Sequence, residues 1–218
     1  MTAISTLDRL LHSPRFISHL RDLLTQHHRL YRTPAKAEFL EDLVYQALKR
    51  TQPDLSLEWS PQSHRVLYDI RIEDPLHGAL EVSIKSGAQS KNKLVLSGFR
   101  MQSVMAAHKG DAPGSEPSQV QGDAIVEALT AMASKSSTVS ISFCPTLRHY
   151  QIRPLNSTLL VPPPWSNWTQ SGAKIKGTSA AGVSFELVRS LSWQIWWKIP
   201  LHLMMAHTID PFSTVEAS

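Results

Sequence analysis

Asp69, Ser83 and Lys85 lie on two runs, residues 65–72 and 79–85, that alternate apolar and polar residues with period two. Period two marks strands, because successive side chains point to opposite faces. Between the runs, Glu73-Asp74-Pro75-Leu76-His77-Gly78 supplies the proline and glycine of a tight turn. An antiparallel hairpin closed symmetrically on that turn sets 73 against 79, 71 against 81, 69 against 83 and 67 against 85. One face then collects Val66, Tyr68, Ile70, Ile72, Leu80, Val82 and Ile84; the other collects Asp69, Arg71, Glu73, Glu81, Ser83 and Lys85. A one-residue slip would bury the charged set, so this register is strongly specified. Opposed Cβ atoms in such a hairpin lie about 4.5–5.5 Å apart, with Lys85 two residues along from Ser83 on the same side. A carboxylate at Asp69 could hold Mg²⁺, which takes oxygen ligands and keeps several waters. Lys85 could orient or deprotonate a water and offset charge building on a phosphate. An antiparallel sheet with one wet face shows the same alternation without any chemistry. Arg71 and Glu81 would then make an ordinary cross-strand ion pair worth at most about 1 kcal/mol.

The elements around the hairpin follow from spacing. Apolar residues three and four apart over 4–30 predict helix, broken into two at Ser13-Pro14. A further helix is expected from an N-cap at Thr33 and a first-turn Pro34 to about Lys49, burying Leu40, Leu43, Val44, Ala47 and Leu48 and leaving Glu38, Glu41 and Asp42 off that stripe. Residues 94–108 read as helix entered through Ser97-Gly98, 111–121 as a surface loop, 124–134 as helix and 139–144 as a buried strand. Residues 151–168, with Pro154 and three consecutive prolines from Pro162, read as mostly irregular; 183–188 read as strand and 190–198 as helix. The expected fold class is α/β, a mixed central sheet flanked by helices, in one domain over 1–218 with an N-terminal helical segment (about 1–32) and a core over about 34–145.

Composition bounds the partners. The chain has 218 residues, 42% hydrophobic and 18% charged, with a net charge of +4. That profile suits a globular protein with a mild preference for a polyanion. The single cysteine, Cys144, excludes an internal disulfide and multi-cysteine zinc sites, and its apolar surroundings predict a small buried hydrophobe. The first thirty residues do not form a secretory signal, and the apolar stretch 193–205 is interrupted by Lys198 and Pro200, so a cytoplasmic protein without membrane association is expected. His27-His28 and the His202/His207 pair lack the supporting glutamate of a zinc-protease helix and read as ordinary surface or helix-end histidines. Ser83 lacks the Gly-x-Ser-x-Gly surroundings of an acyl-transfer nucleophile. Trp193, Trp196 and Trp197 read as core or interface residues.

Tyr68-Asp69, the short hairpin, and Ser83-Ile84-Lys85-Ser86-Gly87 together resemble the core of the PD-(D/E)xK nucleases, which include most type II restriction endonucleases. Leu96-Ser97-Gly98-Phe99-Arg100-Met101-Gln102 is similar to the Ser-x-x-Arg helix entrances that follow the lysine in several of these enzymes. The likeness covers residues 38–102. It implies a restriction-endonuclease-like fold, Mg²⁺ as cofactor, double-stranded DNA as substrate and a homodimer matching a two-fold symmetric site. Asp69 would bind the metal and Lys85 position the water. Tyr68 replaces the motif's proline, and Ser83 replaces its second acid. Between Lys85 and Asp111 there is no acid to substitute. Glu81 on the same strand face is the favoured replacement, with Glu38 and Glu41 on the preceding helix as the others. A literal Pro53-Asp54 has no hairpin partner. Lys91, Asn92, Lys93, Ser97, Arg100 and Gln102 suit phosphate, sugar and base-edge contacts, and Lys174 and Lys176 lie in a second polar-basic stretch that could be a groove-reading loop or a linker. A non-cleaving DNA-binding protein on such a fold, or a repair or mobile-element nuclease, are the alternatives.

Overall fold

The computed structural model describes residues 3–59, 68–75, 78–108, 119–188 and 193–211. Three helices open the chain: α1 (Ala3–Leu11), α2 (Pro14–Tyr31) and α3 (Ala37–Thr51). The break between α1 and α2 falls where Ser13-Pro14 places it. The Ser13 hydroxyl accepts the Phe16 N–H at 3.2 Å, and Pro14, with no N–H to satisfy, occupies the first turn. Helix α3 starts three residues later than the expected Pro34. Thr33 does not cap it; Lys36 stands at the N-cap without a side-chain bond, while the Ala35 N–H donates to the Tyr150 hydroxyl at 2.9 Å and holds the preceding segment off the helix.

Eleven described strands follow: β1 (Ser56–Trp59), β2 (Ile70–Asp74), β3 (Gly78–Ser90), β4 (Lys93–Arg100), then helices α4 (Met101–His108) and α5 (Gln119–Lys135), then β5 (Ser136–Cys144), β6 (His149–Leu155), β7 (Thr169–Ser171), β8 (Lys174–Thr178), β9 (Ser184–Val188), β10 (Gln194–Pro200) and β11 (His207–Ile209). They form one mixed sheet in the order β11-β6-β5-β3-β4-β10-β9-β8-β7, with β2 also on β3 and β1 on β2. The architecture is α/β, a large mixed sheet flanked by helices. Strand β3 organises it. Its first half pairs antiparallel with β2, its middle pairs parallel with β5 after the crossover through α5, and its end pairs antiparallel with β4. Two apolar cores result. One packs α1, α2 and α3 on Ile70, Ile72, Leu80, Val82, Ile84, Val139 and Ile141; the other packs α4 and α5 with β4 and β8–β10 around Trp197 and Phe185. Among the described residues no helix is long and apolar enough to cross a membrane.

Several segments depart from the sequence expectation. Residues 94–100 are strand, not helix. Leu94 and Leu96 are buried at period two, and Lys91 and Asn92, both at positive φ (47° and 60°), make the tight β3–β4 turn. Residues 194–200 are also strand: Ile195, Trp197 and Ile199 alternate into the core, whereas the three tryptophans suggest a helical spacing. Residues 149–155 are strand despite Pro154, which lies beyond Ile152, where the pairing with β11 ends. The stretch 170–179 is largely the β7–β8 hairpin rather than a loop. Cys144 is half-buried at the end of β5, and His27 and His28 are buried against Tyr31, Phe39 and Phe143 rather than on the surface. Most of the loop expected over 111–121, the strand beginning over 65–67 and the start of the helix expected at 190 lie outside the described residues.

Gly98 lets β4 and β10 close, since a Cβ there would come within 2.3 Å of the Trp197 ring. Gly98→Ala should destabilise the chain by about 1–3 kcal/mol in urea unfolding. The double variant with Trp197→Leu should lose less than the two single losses combined, by about 0.5 kcal/mol or more. Additive losses would contradict the packing described.

Candidate active site

The β2–β3 register is the one the alternation dictates: Ile70 pairs with Val82, Arg71 with Glu81, Ile72 with Leu80 and Glu73 with Ala79. The paired register ends at Ile70. The Asp69 N–H donates at 2.9 Å to the carbonyl of Val82, the residue already paired with Ile70, so the ladder shifts there and the expected Asp69–Ser83 pairing is not continued. The Asp69 side chain still reaches Ser83. Its carboxylate is fixed through one oxygen. Oδ2 accepts the Ile84 N–H at 2.5 Å and the Ser83 hydroxyl at 3.3 Å, and Lys85 Nζ lies 3.7 Å away. Oδ1 takes part in none of these contacts. Ser83 is fully buried and serves to orient Asp69.

Helix α3, packed on β3 and β1, brings the second carboxylate. Glu41 sits close enough to Asp69 and Lys85 for both charges to act on it. Its pKa is pushed up to about 7, first by burial, then by the Asp69 carboxylate and by Glu38 one turn earlier, against the opposing pull of Lys85. The buried indole N–H of Trp59 at the end of β1 has no well-formed hydrogen bond of its own, yet it lies near enough to Glu41 to favour the ionised form slightly. Burial also lowers the pKa of Lys85, with Asp69 and Glu41 acting in the other direction.

Glu81 is not in this group. It is half-buried near Lys135 and Arg71, whose charges counter the upward push of burial on its pKa, and no effect of Asp69 or Lys85 reaches it. The expected Arg71–Glu81 ion pair gives way to one along β2, with Arg71 Nε 2.7 Å from Glu73. A hydrogen bond and an ion pair gather Asp69, Ser83 and Lys85, and Glu41 lies within electrostatic reach of Asp69 and Lys85, with Glu38 exposed at the margin. Among the described residues no three His, Cys, Asp or Glu side chains cluster as a metal cage. Glu41 and Asp69, near enough for one charge to act on the other, are the carboxylates here that could hold a cation which binds through one or two carboxylates and keeps its waters.

The other polar candidates are dispersed. Lys91 and Asn92 are exposed at the β3–β4 turn, about 20 Å along the strand from Lys85. Lys93 is half-buried beside them. Ser97 and the exposed Arg100 return along β4 toward the site, and Ser97 accepts a bond from Gln194 at 2.7 Å. Gln102 lies in the first turn of α4. Lys174 and Lys176 sit on β8, four strand spacings or about 19 Å from β3. Lys174 is tied to Glu186 at 3.2 Å, together with Lys198 at 2.6 Å. Trp59 escapes sequence reasoning because four residues of alternation in β1 are too short a signal. Comparison of the chain with protein-family models, with curated proteins and with solved structures found no match.

Because the folded chain holds the Glu41 proton up to about pH 7 while the unfolded chain releases it near 4.5, the stability this gives in acid is lost as pH rises through 7. In EDTA, Glu41→Gln should therefore gain stability relative to the parent between pH 5 and pH 8, as measured by urea unfolding. A difference independent of pH would show that Glu41 is not crowded by Asp69.

Proposed function

We propose that this chain is a Mg²⁺-dependent endonuclease of the PD-(D/E)xK kind, hydrolysing phosphodiester bonds in a short specific sequence of double-stranded DNA, and acting as a homodimer on two-fold symmetric sites. The observation that carries the proposal is the Lys85–Asp69 ion pair at 3.7 Å, with the half-buried Glu41 of α3 within electrostatic reach of both. Mg²⁺, when bound, polarises a phosphate oxygen and acidifies water. Glu41 and Asp69 would hold it, Asp69 through Oδ1, and a cation there relieves the repulsion between the two carboxylates. The main-chain N–H of Ile84 and the Ser83 hydroxyl keep Asp69 aimed during turnover. Lys85, more readily deprotonated than an exposed lysine, accepts the proton of the attacking water at Nζ; in its ammonium form it offsets charge on the phosphate. Ser83 thus replaces the acid of the acid-x-lysine pattern with an orienting hydroxyl, and α3 supplies the missing carboxylate.

Plasmid digestion with Mg²⁺ tests the assignment. Asp69→Ala, Lys85→Ala and Glu41→Gln should each cut at least about a hundredfold more slowly, whereas Glu81→Gln should stay within a few-fold of the parent. The parent should give discrete fragments from long genomic DNA. A Glu81 variant that fails to cut beside an active Glu41 variant would reverse the assignment.

A further inference from the structure

The sheet face that carries Ser83 and Lys85 continues across β5 and β6. Lys85 pairs in register with Ser140, Ser140 with Arg153, and Ser142 with Gln151. Paired residues share a face, so Lys85, Ser140 and Arg153 form a row two strand spacings wide, about 10 Å. Arg153 is 3% exposed, yet its acceptors are neutral: Nη1 donates to Ser142 Oγ at 3.2 Å and Nη2 to Gln151 Oε1. Among the described residues no carboxylate pairs with it, and burial alone acts on its pKa, downward. The Arg153 charge is thus met only by neutral acceptors among the described residues, an arrangement that costs stability unless an anion arrives. Beside it the Ser140 hydroxyl is fully buried and has no hydrogen-bond partner among the described residues. The only exposed side chain in this hydrogen-bonded group is Gln89, which donates to the same Gln151 oxygen as Arg153 and covers the row.

We propose that Arg153 and Ser140 form a second phosphate-binding position on the face of Lys85, taking a backbone phosphate that flanks the cleaved one. The Gln89–Gln151 pair opens to admit it. The identity of the anion as a nucleic-acid phosphate rests on the nuclease proposal; the site itself does not. Arg153 touches no reacting atom and acts by positioning the strand.

The test follows the Arg153 Nε–H resonance of the full chain in EDTA, titrated with inorganic phosphate and then with a duplex. Duplex affinity is measured against salt for the parent, Arg153→Gln and Arg153→Lys. The resonance should move saturably with both ligands. Arg153→Gln should weaken duplex binding about tenfold or more and lower the slope of log affinity against log salt by about one, whereas Arg153→Lys should keep most of the slope. An unmoved resonance, or an Arg153→Gln protein with unchanged affinity and slope, overturns the proposal. If Arg153→Gln does not fold, the parent's titrations decide. A parent that binds phosphate at Arg153 yet never cleaves DNA sinks the nuclease proposal and leaves this site standing. A parent that cleaves while Arg153 stays silent does the reverse.

Discussion

Ile70, Ile72, Leu80, Val82 and Ile84 are buried together beneath α1–α3 by the register of β2 on β3, and a one-residue slip would break that set. At about 2 kcal/mol for each buried aliphatic side chain, such a slip of β2 would turn Ile70 and Ile72 out of the core and forfeit about 4 kcal/mol, a large part of the stability of a domain. The site inherits its geometry from that packing. Asp69, just before β2 where the ladder shifts, accepts the Ser83 hydroxyl and the Ile84 N–H and lies beside Lys85. The same face seats α3, and α3 brings Glu41.

Electrostatic strain is the complement of this packing. Asp69, with three donors around one oxygen, is well satisfied; Glu41, half-buried against it, is not. Arg153 repeats the pattern with the opposite sign on the same sheet face, a buried cation solvated only by neutral groups. On the proposed reading, a cation beside Glu41 and Asp69 and an anion beside Arg153 would complete both.

The hairpin is legible in the sequence because period two, a Pro–Gly turn and segregated charge all agree on it. The identity of the second carboxylate is not legible in the same way. Glu81 shares a strand face with Lys85 in sequence, but it stands four residues away along the strand, near Lys135, while Glu41 reaches the site only through helix packing that no local pattern encodes. The second half of the sheet is read poorly for local reasons. Lys91-Asn92 makes a tight turn without the glycine that usually announces one, Pro154 sits in a strand where pairing with β11 has ended, and Trp193, Trp196 and Trp197 mimic helical spacing over the true alternation of Ile195, Trp197 and Ile199. Arg153 follows from that second half, since its burial depends on β6 being a strand.

The central claim is that Glu41 and Asp69 hold one divalent cation between them. Crystals soaked in Mn²⁺ and measured at the manganese absorption edge test it most directly. The account predicts a single anomalous peak in contact with Asp69 Oδ1 and a Glu41 oxygen, lost in Glu41→Gln. A peak at Glu81, or none at Asp69 at saturating Mn²⁺, would contradict it.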